Sequence, residues 1–159
     1  MIYSFDTSTF MDWQARYYPL DVFPSVQRAV ESLVSSGRGT AIDVVLEEIL
    51  AVGTPELGAW AKGQAGLFVP LEPDIQEDAA RIQAKYPDLM DAGKTYEDAD
   101  AYVIALAMNR ESGIVVSQET SAAEKRNPKK SHYIPDVCRD LGVPCINLLG
   151  LMRREKWAF

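Results

Sequence analysis

Short runs of β-branched and aromatic residues, each followed by a longer stretch with helical periodicity, constrain this chain more than any other feature. The first run, Ile2-Tyr3-Ser4-Phe5, leads into Asp6 and three hydroxyl residues, Thr7, Ser8 and Thr9. It reads as a strand buried on both faces that gives way to a turn or a helix N-cap. Gly39 to Ile42, Leu67 to Val69, Gly113 to Ser117 and Val143 to Ile146 have the same extended character. Between them the pattern predicts helices over Phe10 to Tyr18, Asp21 to Ser36, Val44 to Val52 with Asp43 as N-cap, Thr54 to about Gly63, and Glu72 to about Tyr86. Further helices follow from Thr95, with Asp98 completing a capping-box-like start, to Met108, from Ile134 to Leu141 with Gly142 as a stop, and from Leu148 to the Arg153-Arg154 pair. Strands alternating with helices in this way predict an α/β fold with a mostly parallel sheet covered on both faces. A length of 159 residues suits one such domain over the whole chain, 1–159, rather than two.

Several function classes have little to stand on. There is no basic start followed by an apolar signal core and no apolar run approaching a membrane span, so a cytoplasmic protein is expected. Cys138 and Cys145 are the only cysteines and read as reduced, mostly buried thiols rather than a disulfide. His132 is the only histidine, which leaves little for a His/Cys zinc site or a histidine-based triad. The net charge of −7 is unevenly spread: half of the basic residues fall between residues 119 and 159, where Lys125, Arg126, Lys129 and Lys130 form a basic loop.

Four carboxylates occupy positions that could converge. Asp6 ends a strand, Glu48 lies on a helix, Asp100 opens the most apolar helix, and Glu119 follows a strand end. Ligands of open parallel sheets collect beyond the carboxyl ends of the strands, where Asp6 would sit if its strand is central; the plainer role for Asp6 is a helix cap. Carboxylates are expensive to bury unpaired, and basic residues are scarce before residue 119. A hard divalent ion with oxygen ligands, Mg²⁺ or Mn²⁺, would neutralise such a group.

The order Asp6-Thr7-Ser8, then Val45-Leu46-Glu47-Glu48-Ile49, then Asp98-Ala99-Asp100-Ala101-Tyr102-Val103-Ile104-Ala105-Leu106-Ala107, then Val115-Val116-Ser117-Gln118-Glu119 resembles the PIN-domain nucleases. It is most similar to a PIN-like branch of unknown function related to the VapC toxins of toxin–antitoxin pairs. Tyr17-Tyr18-Pro19, Trp60-Ala61-Lys62 and Ile134-Pro135-Asp136-Val137-Cys138 extend the resemblance over nearly the whole chain. The resemblance implies a three-layer α/β/α fold and a Mg²⁺- or Mn²⁺-dependent nuclease, a ribonuclease with a cognate antitoxin as partner. It implies Asp6, Glu48, Asp100 and Glu119 as metal ligands and catalytic acids, with Ser8 and Ser117 as polar neighbours. Glu47 is the alternative to Glu48, and Asp98 competes with Asp100. Glu119 stands where the family more often has Asp, which lengthens the arm. Asp136 either adds a carboxylate or caps its helix.

The implied reaction is phosphodiester hydrolysis by one or two ions, paired ions of this kind standing roughly 3.5–4 Å apart. Lys125, Arg126, Lys129 and Lys130 are the candidate RNA contacts, and a solvated loop is the plainer reading. His132 fits a surface or phosphate-contacting role better than that of a general base. A DNA nuclease and an inactive PIN-like interaction module are the competing functions. Trp13, Tyr17, Tyr18, Trp60 and Trp157 are expected mostly in the core. Trp157 and Phe159 would be exposed unless packed on the sheet, on an antitoxin or on a second copy of the chain.

Overall fold

A computed structural model describes residues 1–159 as five strands and eight α-helices. The strands are β1 (Ile2–Phe5), β2 (Gly39–Ile42), β3 (Phe68–Val69), β4 (Gly113–Val116) and β5 (Cys145–Ile146). They form one sheet in the order β3-β2-β1-β4-β5, and every pairing is parallel. The sheet is therefore wholly rather than mostly parallel, and β1 is its central strand. Parallel neighbours require crossovers, which these helices supply. The helices are α1 (Thr7–Phe10), α2 (Pro24–Ser35), α3 (Asp43–Val52), α4 (Pro55–Lys62), α5 (Pro73–Lys85), α6 (Asp100–Met108), α7 (Ile134–Leu141) and α8 (Leu148–Arg154). After β1 the chain steps outward through β2 to β3; it then returns to the other side of β1 for β4 and β5. Right-handed crossovers put the helices of the two directions on opposite faces, which makes a three-layer α/β/α domain. Beyond α1 the helix continues over Met11–Tyr17 in wider π-type turns. No helix is long and apolar enough to cross a membrane.

Side chains on both faces of the central strands are buried: Tyr3 and Phe5 of β1, Ala41 and Ile42 of β2, and Ile114, Val115 and Val116 of β4. Helix α6 packs on β1, β2 and β4 and is buried nearly all round. Its apolar sequence follows from that central place. Gly113 lets α6 turn tightly into β4, because a Cβ there would lie 1.9 Å from the Ala107 carbonyl oxygen. Gly142 ends α7 at a φ of +70°.

Two helix starts and one helix face differ from the sequence pattern for physical reasons. Helix α2 starts at Pro24 rather than Asp21, with Pro at the first helical position and Val22 left in an exposed turn. The buried stripe of α3 is Val44, Val45, Glu48 and Ile49, while Leu50 and Val52 face outward, so the helix carries Glu48 on its inner side and leaves Glu47 exposed. Helix α6 begins at Asp100, and Thr95 does not open it; Asp98 instead accepts the Asp100 N–H. Among the aromatics, Phe10 and Trp13 are buried and Trp60 packs edge-on to Trp13 at 4.9 Å, whereas Tyr17 and Phe159 are exposed. Cys138 is buried and Cys145 half-buried, both as free thiols.

Candidate active site

The order of strands reverses between β1 and β4, and the crevice beyond their carboxyl ends is where this architecture offers a ligand site. Asp6 and Ser117 are the first residues past those two strands. The register Phe5 with Val116 places them side by side, and the Asp6 N–H donates to the Val116 carbonyl at 2.9 Å. Asp6 stands at the N-cap position of α1, where its backbone carbonyl accepts the Thr9 N–H at 3.0 Å but its side chain makes no capping hydrogen bond. Its Oδ2 instead accepts the Ser117 hydroxyl at 2.9 Å and the Ser8 hydroxyl. Ser8 in turn accepts the Gln118 N–H at 2.9 Å, and Ser117 accepts the Glu119 N–H at 3.1 Å. The two serines thus lock both strand ends around one carboxylate.

Glu48 reaches the same crevice from α3. Thr7 donates to its Oε1 at 2.6 Å, and Lys94 lies 3.2 Å from its Oε2. Asp100 comes from the first turn of α6, and the nearest cation to it is Lys130 at 3.9 Å. Glu119 extends from the loop after β4, its Oε2 accepting the Ile134 N–H at 3.1 Å. Asp6, Glu48, Asp100 and Glu119 line one cleft of about 290 Å³ together with Thr7, Ser8, Met11, Asp12, Val52, Lys94 and Tyr96. All four predicted acids therefore line the same cleft, from four separate segments.

Their electrostatics are unfavourable as they stand. Burial raises the pKa of Asp6 against the hydroxyls of Ser8 and Ser117. Burial raises that of Glu48 against Thr7 and Lys94, and the charges of Asp6 and Asp98 add to the rise. Asp100 is pushed well above the ordinary carboxylate range, first by burial and then by the charges of Glu119, Asp6 and Asp98. Glu119 is raised by burial and by Asp6, against the Ile134 N–H and Lys130. No three of these carboxylates are grouped closely enough to hold an ion as placed. Their chemistry nonetheless fits a hard divalent cation: an all-oxygen donor set, mutually repelling and too sparsely paired with lysines, for which Asp6, Glu48, Asp100 and Glu119 could serve as ligands.

The competing acids lie elsewhere. Asp98 is buried, accepts the N–H groups of Asp91 and Asp100 at 2.9 and 3.1 Å, and pairs with Lys94 at 3.0 Å. These partners outweigh burial and hold its pKa below the ordinary value. Its carboxylate organises the loop ahead of α6. Asp136 accepts the N–H groups of Ala122 and Tyr133 at 2.9 and 3.0 Å, so it fastens the start of α7 and lies outside the cleft.

The basic loop approaches the acids through Lys130, 3.9 Å from Asp100. Lys125 and Lys130 place their ammonium groups 4.2 and 4.9 Å from the centre of the Tyr133 ring. Lys129 and Lys130 line a second cleft with Asp88, Met90, Asp91, Ala92 and Tyr133, and Arg126 is exposed. His132 is engaged with Asp88 at 2.7 Å, fastening this loop to the segment after α5. Sequence reasoning missed Thr7 as the partner of Glu48 and missed Lys94 altogether. The one signal for Lys94 is its place four residues before Asp98, which carries little weight outside a helix.

A family model described as a domain of unknown function, DUF4411, matches residues 3–159. A search of curated proteins finds no match.

Proposed function

We propose that this chain, which belongs to the DUF4411 family, is a Mg²⁺- or Mn²⁺-dependent nuclease that hydrolyses phosphodiester bonds of RNA. The observation that carries the reading is the meeting of Asp6, Glu48, Asp100 and Glu119 in one cleft at the switch point of a parallel sheet. A bound cation supplies water activation near neutral pH and neutralises charge on the phosphate. The protein's own residues do the positioning. Ser8 and Ser117 hold Asp6, Thr7 holds Glu48, and the Ile134 N–H holds Glu119. Lys130 lies 3.9 Å from Asp100 and Lys125 acts on Glu119, and with Arg126 and Lys129 of the same loop they would attract a polyanionic strand that the acids alone would repel. The resemblance to PIN-domain nucleases supports RNA as substrate, the role of a toxin with an antitoxin partner and a cytoplasmic setting; the half-buried Trp157 beside the exposed Phe159 is one surface for an antitoxin or a second copy.

A second reading is an inactive interaction module. It draws on Glu119, whose Oε2 is already committed to the start of α7. Cleavage of labelled single-stranded RNA and matched DNA with Mn²⁺, Mg²⁺ or EDTA, beside Asp6→Asn and Asp100→Asn, tests these readings. RNA cleavage that needs metal and both acids is expected. Preferential DNA cleavage would change the substrate, and no cleavage of either polymer with no metal-induced rise in Tm would favour the inactive module.

A further inference from the structure

Lys94 stands where the charge of an incoming cation would have to go. Its Nζ bridges Glu48 Oε2 at 3.2 Å and Asp98 Oδ2 at 3.0 Å and lies 5.4 Å from the centre of the Tyr96 ring. Glu48 Oε1 is taken by the Thr7 hydroxyl at 2.6 Å, so both oxygens of Glu48 are engaged. Lys130 is placed differently: it donates to the Leu89 carbonyl at 2.7 Å and stays 3.9 Å from Asp100. Lys94 lies in the irregular connection between α5 and α6, and its side chain is 26% exposed, which gives it a path out of the cleft. Its second partner does not need to move. Asp98 is fixed by the N–H groups of Asp91 and Asp100 and can retain the ammonium after Glu48 is released.

We propose that Lys94 is an internal counter-ion for the acid cleft, bridging Glu48 and Asp98 in the metal-free protein and yielding Glu48 when a divalent cation enters. This inference rests on the metal reading of the cleft. An ammonium and a divalent ion on the same carboxylate repel at close range in a poorly solvated site, so each weakens the other's hold. Lys94 thereby lends the metal-free acids stability and sets the metal concentration at which the site fills. General structural damage has the opposite signature, because a disordered site binds metal more weakly.

Calorimetric titration of the full chain with Mn²⁺, for wild type, Lys94→Met, Lys94→Gln and Lys94→Arg, tests this, together with Tm with and without Mn²⁺. The expected result is a lower metal-free Tm for the Met and Gln variants, with Mn²⁺ binding roughly tenfold or more tighter than wild type and a larger Mn²⁺-induced rise in Tm. Lys94→Arg should stay near wild type. Wild-type Mn²⁺ binding that is unchanged or weakened in both neutral variants overturns the role of Lys94 alone. Absence of Mn²⁺ binding in wild type and variants alike overturns the metal reading, and this inference with it.

Discussion

The Ser117 hydroxyl donates to Asp6 Oδ2 across 2.9 Å, joining the ends of two adjacent parallel strands through a side chain rather than through the backbone ladder. That bond favours the charged carboxylate, and Ser117 also accepts the Glu119 N–H, so a single hydroxyl orients two of the four acids. Ser117→Ala should leave the fold intact, costing about 1 kcal/mol. Mn²⁺ affinity should fall by roughly 10- to 100-fold, as is usual when a ligand's outer partner is removed. Calorimetric titration checks both the sign and the size. Affinity within twofold of wild type would mean that Ser117 only seals the sheet.

Asp100→Asn should make the metal-free protein more stable. Asp6, Glu48, Asp100 and Glu119 all have pKa values raised in the fold, so the folded state binds more protons than the unfolded chain. Their contribution is fully present below the unfolded carboxylate pKa and is lost as pH rises through the folded values. Asp100, pushed well above the ordinary carboxylate range by burial and by its acidic neighbours, contributes to that loss. Asp98 and Glu155, whose pKa values are lowered, act in the other direction and lose stability as pH falls. Thermal melts between about pH 5 and 8 should show wild-type Tm falling with pH and the variant falling less steeply, since Asp6, Glu48 and Glu119 remain raised, with the variant higher at neutral pH by about 2–4 °C for each kcal/mol of relieved repulsion. Equal slopes in the two proteins would place the repulsion elsewhere.

Much of this site is legible in the sequence because the strand ends are local features. Phe5-Asp6 and Val116-Ser117 mark the points where β-branched or aromatic runs stop, and those stops fix where the side chains emerge. Glu48 is legible only through the resemblance, which favours it over Glu47; the fold then sets it on the buried stripe with Val45 and Ile49. Lys94 is not legible, since its contact with Glu48 spans 46 residues and depends on the path of an irregular loop. The start of α6 departs from the sequence pattern for a similar cause. Asp98 has the right spacing from Thr95 for a capping box, but tertiary structure turns its carboxylate toward the N–H groups of Asp91 and Asp100. The cluster of Tyr3, Arg38 and Glu155 is equally invisible in sequence, joining β1, the approach to β2 and the end of α8.

That cluster predicts alkaline sensitivity. Burial first, and then the hydrogen bond and charge of Glu155, push the Tyr3 phenol up to about 12. A phenol held neutral in the fold contributes stability that is complete below its ordinary value near 10 and declines as pH rises toward about 12. Tyr3→Phe should lower stability at neutral pH by about 1 kcal/mol, the net worth of a typical hydrogen bond, while flattening the alkaline decline. Denaturant unfolding at pH 8 and at about pH 11 gives the two slopes to compare. An alkaline decline of equal steepness in the variant would assign it to other groups.

The lysines of the basic loop should contribute unequally to substrate binding. Lys129 is exposed, and only its backbone is fastened, its N–H donating to the Tyr133 hydroxyl at 3.2 Å. Its ammonium can therefore meet a phosphate without first breaking a bond. The Lys130 ammonium is already held by the Leu89 carbonyl and faces Asp100, so a phosphate must compete for it. On a single strand, each phosphate contact removed should reduce the slope of log K against log salt by about 0.7. Lys129→Ala should show about that change with unaltered Mn²⁺ affinity. Lys130→Ala should change the slope less and should shift the Mn²⁺ affinity, because it removes a positive charge beside Asp100. Binding of labelled RNA across a salt series, using the uncleaved complex in EDTA, measures the slopes. Wild-type slopes in both variants would return the loop to ordinary solvated surface, and equal slope changes would show that the Leu89 and Asp100 contacts do not restrain Lys130.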